Sequence, residues 1–152
     1  MAENRNTYDV IQDLIETCRD GQQGYLHAAA HVKDPELKSF FQEQSLERGR
    51  FISELQQQLK ALGEGPAEVK GSLAATLHRA WFDLAANLGG GDKAILNNVE
   101  RGEDAAKDAY QKMFTADLPA DVGPILRAQY ESVLAAHDRV RNLRDTYDRK
   151  AA

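Results

Sequence analysis

Apolar residues return every three or four positions through four long stretches of this chain, and that spacing restricts it to packed α-helices. The first stretch runs Thr7, Ile11, Leu14, Cys18, Gly21, Tyr25, Ala28 and Val32. At 3.6 residues per turn these side chains fall on one face. A second seam reads Leu37, Phe41, Gln44, Phe51, Leu55, Leu59 and Leu62, and a third Ile95, Val99, Gly102, Ala106, Tyr110 and Met113. The fourth carries Val122, Leu126, Gln129, Val133, Ala136, Val140, Leu143 and Tyr147. One apolar seam on each of four helices is satisfied when the four close around a common core. No strand alternation competes.

Capping and breaking residues divide the seams. Asn6 reads as an N-cap, and Asp34-Pro35-Glu36 as an N-cap, a first-turn proline and a first-turn acid. Gly63-Glu64-Gly65-Pro66 breaks the chain, and Gly89-Gly90-Gly91 does so again before Asp92. Pro124 fits only a first helical turn, which places the last helix start near Asp121. The predicted helices are 6–32, 35–62, 93–115 and 121–148, with a shorter amphipathic helix over 72–88 carrying Leu73, Leu77, Trp81, Leu84 and Leu88. At 1.5 Å per residue that shorter helix is about 25 Å long, enough to run back along a bundle. The order is pair, crossover, pair. The expected fold is all-α, a ferritin-like four-helix bundle with a long helix-containing crossover between the second and third bundle helices, and residues 1–152 forming one domain. Trp81, with Phe82, is expected to clamp the crossover helix onto the bundle.

Polar residues interrupt the seams once per helix. Gln22, Gln44, Glu103 and Gln129 lie on or beside the apolar stripes, and the two halves of the chain place them at corresponding heights. Ferritin-like dimetal sites occupy that level, using about four carboxylates and two histidines with Glu and His three apart. The residues three before His27, His31, His78 and His137 are Gly24, Ala28, Ala75 and Leu134, none of them acidic. His27 and His31 point away from their seam. Being four apart they could share a surface metal, although a solvated face is the simpler reading. His137 is read as packing at a helix boundary or bonding a neighbouring carboxylate. Glu103 is the strongest single candidate, because a buried carboxylate must find partners or take up a proton. Glu47 or Arg48 could reach its level. No catalytic, cofactor or metal residue is assigned. The weak metal candidates are Glu103, Glu47 and His137, and the four polar residues are read as a structural layer that fixes register. Gly21 and Gly102, costly in mid-helix, are expected to bring the first and third helices close together.

Composition narrows the partners. The net charge is −5, so no nucleic-acid footprint is expected, and C-terminal arginines alternate with aspartates as on a solvated face. A single cysteine, Cys18, excludes an intramolecular disulfide and sits in apolar register. Neither a signal peptide nor a membrane-spanning run is present, so cytoplasm is the expected location.

The segments DLIETCRDGQQGY, VKDPELKSFF, LHRAWFDL, GGDKAILNNVERGEDAAKDAY and AHDRVRNLRD resemble a bacterial family of small ferritin-like four-helix-bundle proteins classed as a domain of unknown function. The resemblance runs from about residue 6 to 147. It implies a bundle with a crossover and carries over no catalytic residues, while ferritin-like relatives more broadly suggest metal handling or stress response. The expected function is accordingly a non-catalytic structural, stress-associated or partner-binding bundle. Such a bundle would be a homo-oligomer or bound to a protein partner, with no cofactor. The alternative is a metal carrier or oxidase using a degenerate core site for iron or manganese. A third reading, a helix-binding adaptor, would need an exposed apolar groove.

Overall fold

The computed structural model describes residues 2–65, 81, 91–114 and 118–151. They form α1 (Ala2–His31), α2 (Pro35–Ala61), α3 (Gly91–Met113) and α4 (Gly123–Ala151), with no strand among the described residues. Among the described residues the architecture is an all-helical bundle of four helices.

The ends follow local chemistry, with some departures from expectation. Asp34, extended at φ −70° and ψ 120°, accepts the Glu36 N–H at 2.9 Å, and Pro35 occupies the first turn, where its missing N–H costs nothing. α2 ends as Gly63 turns left-handed at φ +80°, a conformation that favours glycine. α1 begins at Ala2, so Asn6 is inside the helix rather than its cap. Asp92 is the second residue of α3 rather than a cap of it. Its carboxylate instead accepts the Lys33 and Asp34 N–H groups at 2.8 and 2.9 Å, capping the turn between α1 and α2. Tyr147 on α4 donates to Asp34 at 3.1 Å, so three helices are tied at that corner. The expected helix over 72–88 lies outside the described residues except for Trp81, which is helical and buried.

Contacts fix the directions. Tyr25 packs on Phe40 and Phe41, and Ser45 Oγ donates to the Gln22 carbonyl, so α1 and α2 are antiparallel. Asp92 beside Lys33 at one end and Tyr110 beside Cys18 further along make α3 antiparallel to α1. His137 with Asp104 and Gln129 with Tyr110 make α4 antiparallel to α3. α2 and α3 therefore run parallel. α1 packs most extensively on α2, followed by α3 on α4 and α1 on α3, while α2 and α4 touch through few residues.

The core is two apolar clusters stacked along the bundle. One joins Ile11, Leu14, Ile15 and Cys18 to Phe51, Leu55, Leu59, Ala106, Tyr110, Leu126 and Val133, among others. The other joins Tyr25, Ala28 and Val32 to Phe40, Phe41, Trp81, Ile95, Val99 and Val140. Fully burying one such aliphatic or aromatic side chain stabilises by roughly 1.5–3 kcal/mol. On each helix a short gap separates the two clusters, and the polar interior occupies that gap.

Candidate functional site: a buried ion pair at mid-bundle

Arg48 lies between Phe41 and Phe51 on α2, and Glu103 lies between Val99 and Ala106 on α3. Both are thereby carried into the gap between the clusters. Arg48 Nη2 donates to both Glu103 oxygens, at 2.6 and 2.7 Å, with the two side chains 1% and 0% exposed. Arg48 is among the largest side chains fully removed from solvent. Glycine makes room for it: a Cβ at Gly21 would fall 2.9 Å from Nη1. The guanidinium carbon also sits 5.6 Å from the Tyr25 ring centre, in cation–π range. Arg48 Nε and Nη1 are buried without a hydrogen-bond partner. So is Tyr25 Oη, which lies near Glu103 but makes no well-aligned bond to it.

The electrostatics are those of a desolvated pair. Burial pushes the Glu103 carboxyl upward, and Arg48 pulls it back by charge and by hydrogen bond. Burial is the largest single influence on Arg48 and disfavours its charge, but Glu103, Tyr25 and Cys18 together more than offset it and hold the guanidinium cationic. Burial, reinforced by Glu103, raises the Tyr25 phenol well above its ordinary value.

Two turns further along α3 runs a second polar string. Tyr110 Oη donates to Gln129 Oε1 at 2.7 Å and lies 3.2 Å from Cys18 Sγ. Gln129 Nε2 donates to Glu54 at 3.1 Å and toward the Phe51 carbonyl at 3.4 Å. Burial pushes the Cys18 thiol up to about 11, the opposite of what a reactive thiolate needs.

The structure brings together only some of the residues singled out from the sequence. Glu103 and Gln129 are buried, at different heights. Gln22 is half-buried at the edge of the α1–α2 contact, over Gly49, where a Cβ would meet its Nε2 at 2.8 Å. Gln44, also half-buried, lines a cleft of about 220 Å³ between α2 and α4 with Phe40, Glu47, Ser132, Ala135, Ala136 and Arg139. Glu47 turns outward to Arg50 at 2.6 Å. His137, 7% exposed, places Nε2 2.6 Å from Asp104 and Nδ1 3.2 Å from Asp138. The mid-bundle layer is thus Arg48 with Glu103. Arg48 was detectable in the sequence: it stands seven residues from Phe41 and from Leu55, in the same register as two fully buried residues.

What lies against each of the mid-helix glycines is a side chain. Gly21 accommodates Arg48 from α2. Gly102 on α3 and Gly24 on α1 accommodate the Trp81 indole, since a Cβ at either would fall 2.5 Å from its Cδ2. The indole fills the space between α1 and α3 and packs on Tyr25, with ring centres 5.3 Å apart.

A dimetal centre does not fit these residues. Glu103 already spends both oxygens on a guanidinium, and no three His, Cys, Asp or Glu side chains converge on a metal-sized site among the described residues. Nor is any helix of the described residues long and apolar enough to cross a membrane. A family model described as "Domain of unknown function (DUF2383)" matches residues 6–116, which takes in most of α1 and all of α2 and α3. No curated protein matches the chain.

Proposed function

This chain belongs to the DUF2383 family, and from that premise we propose that it is a non-catalytic, ferritin-like bundle acting through a protein partner or a second copy of itself. The ferritin-like reading is supported by the helix directions: two antiparallel pairs, with α2 and α3 parallel, match the pattern of bundles that carry one long crossover. A bacterial, cytoplasmic, stress-associated setting is part of the same proposal, as is the crossover helix over 72–88.

The observation that carries the non-catalytic reading is the Arg48–Glu103 pair. At an effective dielectric of about 20, a divalent ion roughly 4 Å from a guanidinium is repelled by about 8 kcal/mol. Iron or manganese at Glu103 would have to displace Arg48 from a position in which it is 1% exposed. The guanidinium supplies there the positive charge that a metal supplies in dimetal bundles, without redox or Lewis-acid chemistry.

The test is elemental analysis of protein purified without chelator or nickel resin and loaded anaerobically with Fe²⁺ or Mn²⁺. Less than about one iron or manganese ion per several chains is expected, in the absence of a dedicated site for them at Glu103. Stoichiometric iron or manganese that disappears in Glu103→Ala would overturn the proposal and favour the metal carrier or oxidase.

A further inference from the structure

α1 ends on two imidazoles that the bundle core does not use. His27 and His31 are four apart on one helix face, with ring centres 4.7 Å apart and planes tilted by 40°. We propose that they form a two-imidazole site for a late first-row divalent cation, Zn²⁺, Ni²⁺ or Cu²⁺, with water completing the coordination sphere.

Four observations point to it. Two imidazoles sharing one ion at metal–nitrogen distances of 2.0–2.1 Å have ring centres roughly 4.5–5.2 Å apart for angles between 90° and tetrahedral. The observed separation lies inside that range. His31 Nδ1 lies 2.8 Å from the His27 carbonyl, and since a carbonyl only accepts, Nδ1 carries the proton. The Nε2 lone pair of neutral His31 is therefore the one left for a ligand, and the outer hydrogen bond to a carbonyl is the arrangement that orients metal-bound histidines. His27 Nε2 is shut off from solvent with no hydrogen-bond partner. An ion would satisfy it, the broad torsional well of the imidazole letting that nitrogen turn to meet it. Finally, His31 is the last residue of α1, where the unpaired carbonyls of a helix C-terminus favour positive charge.

The ligand set chooses the cation. Neutral imidazoles suit zinc, nickel and copper, whereas calcium, magnesium and manganese want several oxygens. With two protein ligands the site exchanges its ion rather than holding it as a structural part. It is separate from the Arg48–Glu103 pair, so its presence or absence leaves the reading of the interior intact.

The experiment uses the full chain without a histidine tag, stripped with EDTA and dialysed. It is titrated with Zn²⁺ by calorimetry and with Ni²⁺ while imidazole NMR signals are followed. One ion per chain is expected, with the His27 and His31 signals shifting or broadening before those of His137. His31→Gln, a change at an exposed position, and His27→Gln should each weaken binding at least about tenfold. Circular dichroism establishes that both variants remain folded, and the NMR measurement on the unaltered chain needs no variant. The proposal is overturned by failure to bind one equivalent at millimolar metal, by unchanged affinity in His31→Gln, or by NMR changes centred on another histidine.

Discussion

Replacing Arg48 with methionine removes a cation while keeping an unbranched side chain in the same channel, and so isolates what the guanidinium does for Glu103. Both partners are at most 1% exposed, so no solvent takes over the lost interaction. Breaking a buried pair from one side costs about 3–5 kcal/mol. In a domain of this size each kcal/mol lowers Tm by roughly 2–4 °C, so a fall of about 6–20 °C is expected. The loss depends on pH. Burial already raises Glu103 in the parent, and a carboxylate with a raised folded-state pKa contributes stability below its unfolded pKa that disappears as pH rises through the folded one. Without Arg48, the largest opposing influence, that window extends upward. Between the unfolded glutamate value near 4.3 and the new folded value, Arg48→Met should lose stability with rising pH at up to about 1.4 kcal/mol per unit. Its deficit relative to the parent is therefore larger at pH 7 than at pH 5. Adding Glu103→Leu should restore most of the loss and abolish the extra pH slope, because paired apolar replacement of a buried ion pair is neutral or stabilising. Urea unfolding of parent, single and double variants at both pH values is the assay. A pH-independent deficit, or a double variant no better than Arg48→Met, would refute the reasoning.

Two further outcomes are expected. Gly102→Ala forces a methyl against the Trp81 indole and should cost about 1–3 kcal/mol by overpacking, with a red-shifted emission from this sole tryptophan. In a Trp81→Ala background the same change should cost much less, as read by a double-mutant cycle. Of the five tyrosines, Tyr25 and Tyr110 are held well above their ordinary range by burial. Tyr147 is raised to about 12, first by burial and then by Asp34. Phenolate absorbance at pH 11 should therefore show no more than two ionised tyrosines. As these raised groups are forced to ionise, the stability they contribute below pH 10 should be lost together with the fold.

Helix periodicity carried most of the architecture, because seams with three-and-four spacing admit few alternatives. The departures have physical causes. Asn6 looked like a cap because its side chain suits one, yet α1 continues to Ala2. Gln44 falls on the same face of α2 as Phe51 and Leu55, as its register implies, yet it is only half-buried. At its level that face looks onto the cleft between α2 and α4, which touch through few residues. From the sequence Arg48 is only a residue that could reach the level of Glu103, because an arginine on an apolar seam is ordinarily solvated. Its register and the presence of one opposite charge, Glu103, on another seam were the available signals. The role of Gly24 and Gly102 was not legible, since a helical glycine records that space is needed without recording which side chain takes it.

The indole of Trp81 has a consequence for how copies of this chain can meet. α1–α2 and α3–α4 are two helical hairpins, and joined hairpins of this kind are prone to trade places between neighbouring molecules. Trp81 belongs to the segment joining them, yet its ring is wedged between one helix of each, in a slot floored on both sides by glycine. Opening the chain for such an exchange would pull the ring out and expose about 200 Å² of apolar surface, or about 5 kcal/mol. The joint between the hairpins is thereby also their bolt, holding the two halves of one chain to each other against exchange with those of a second copy.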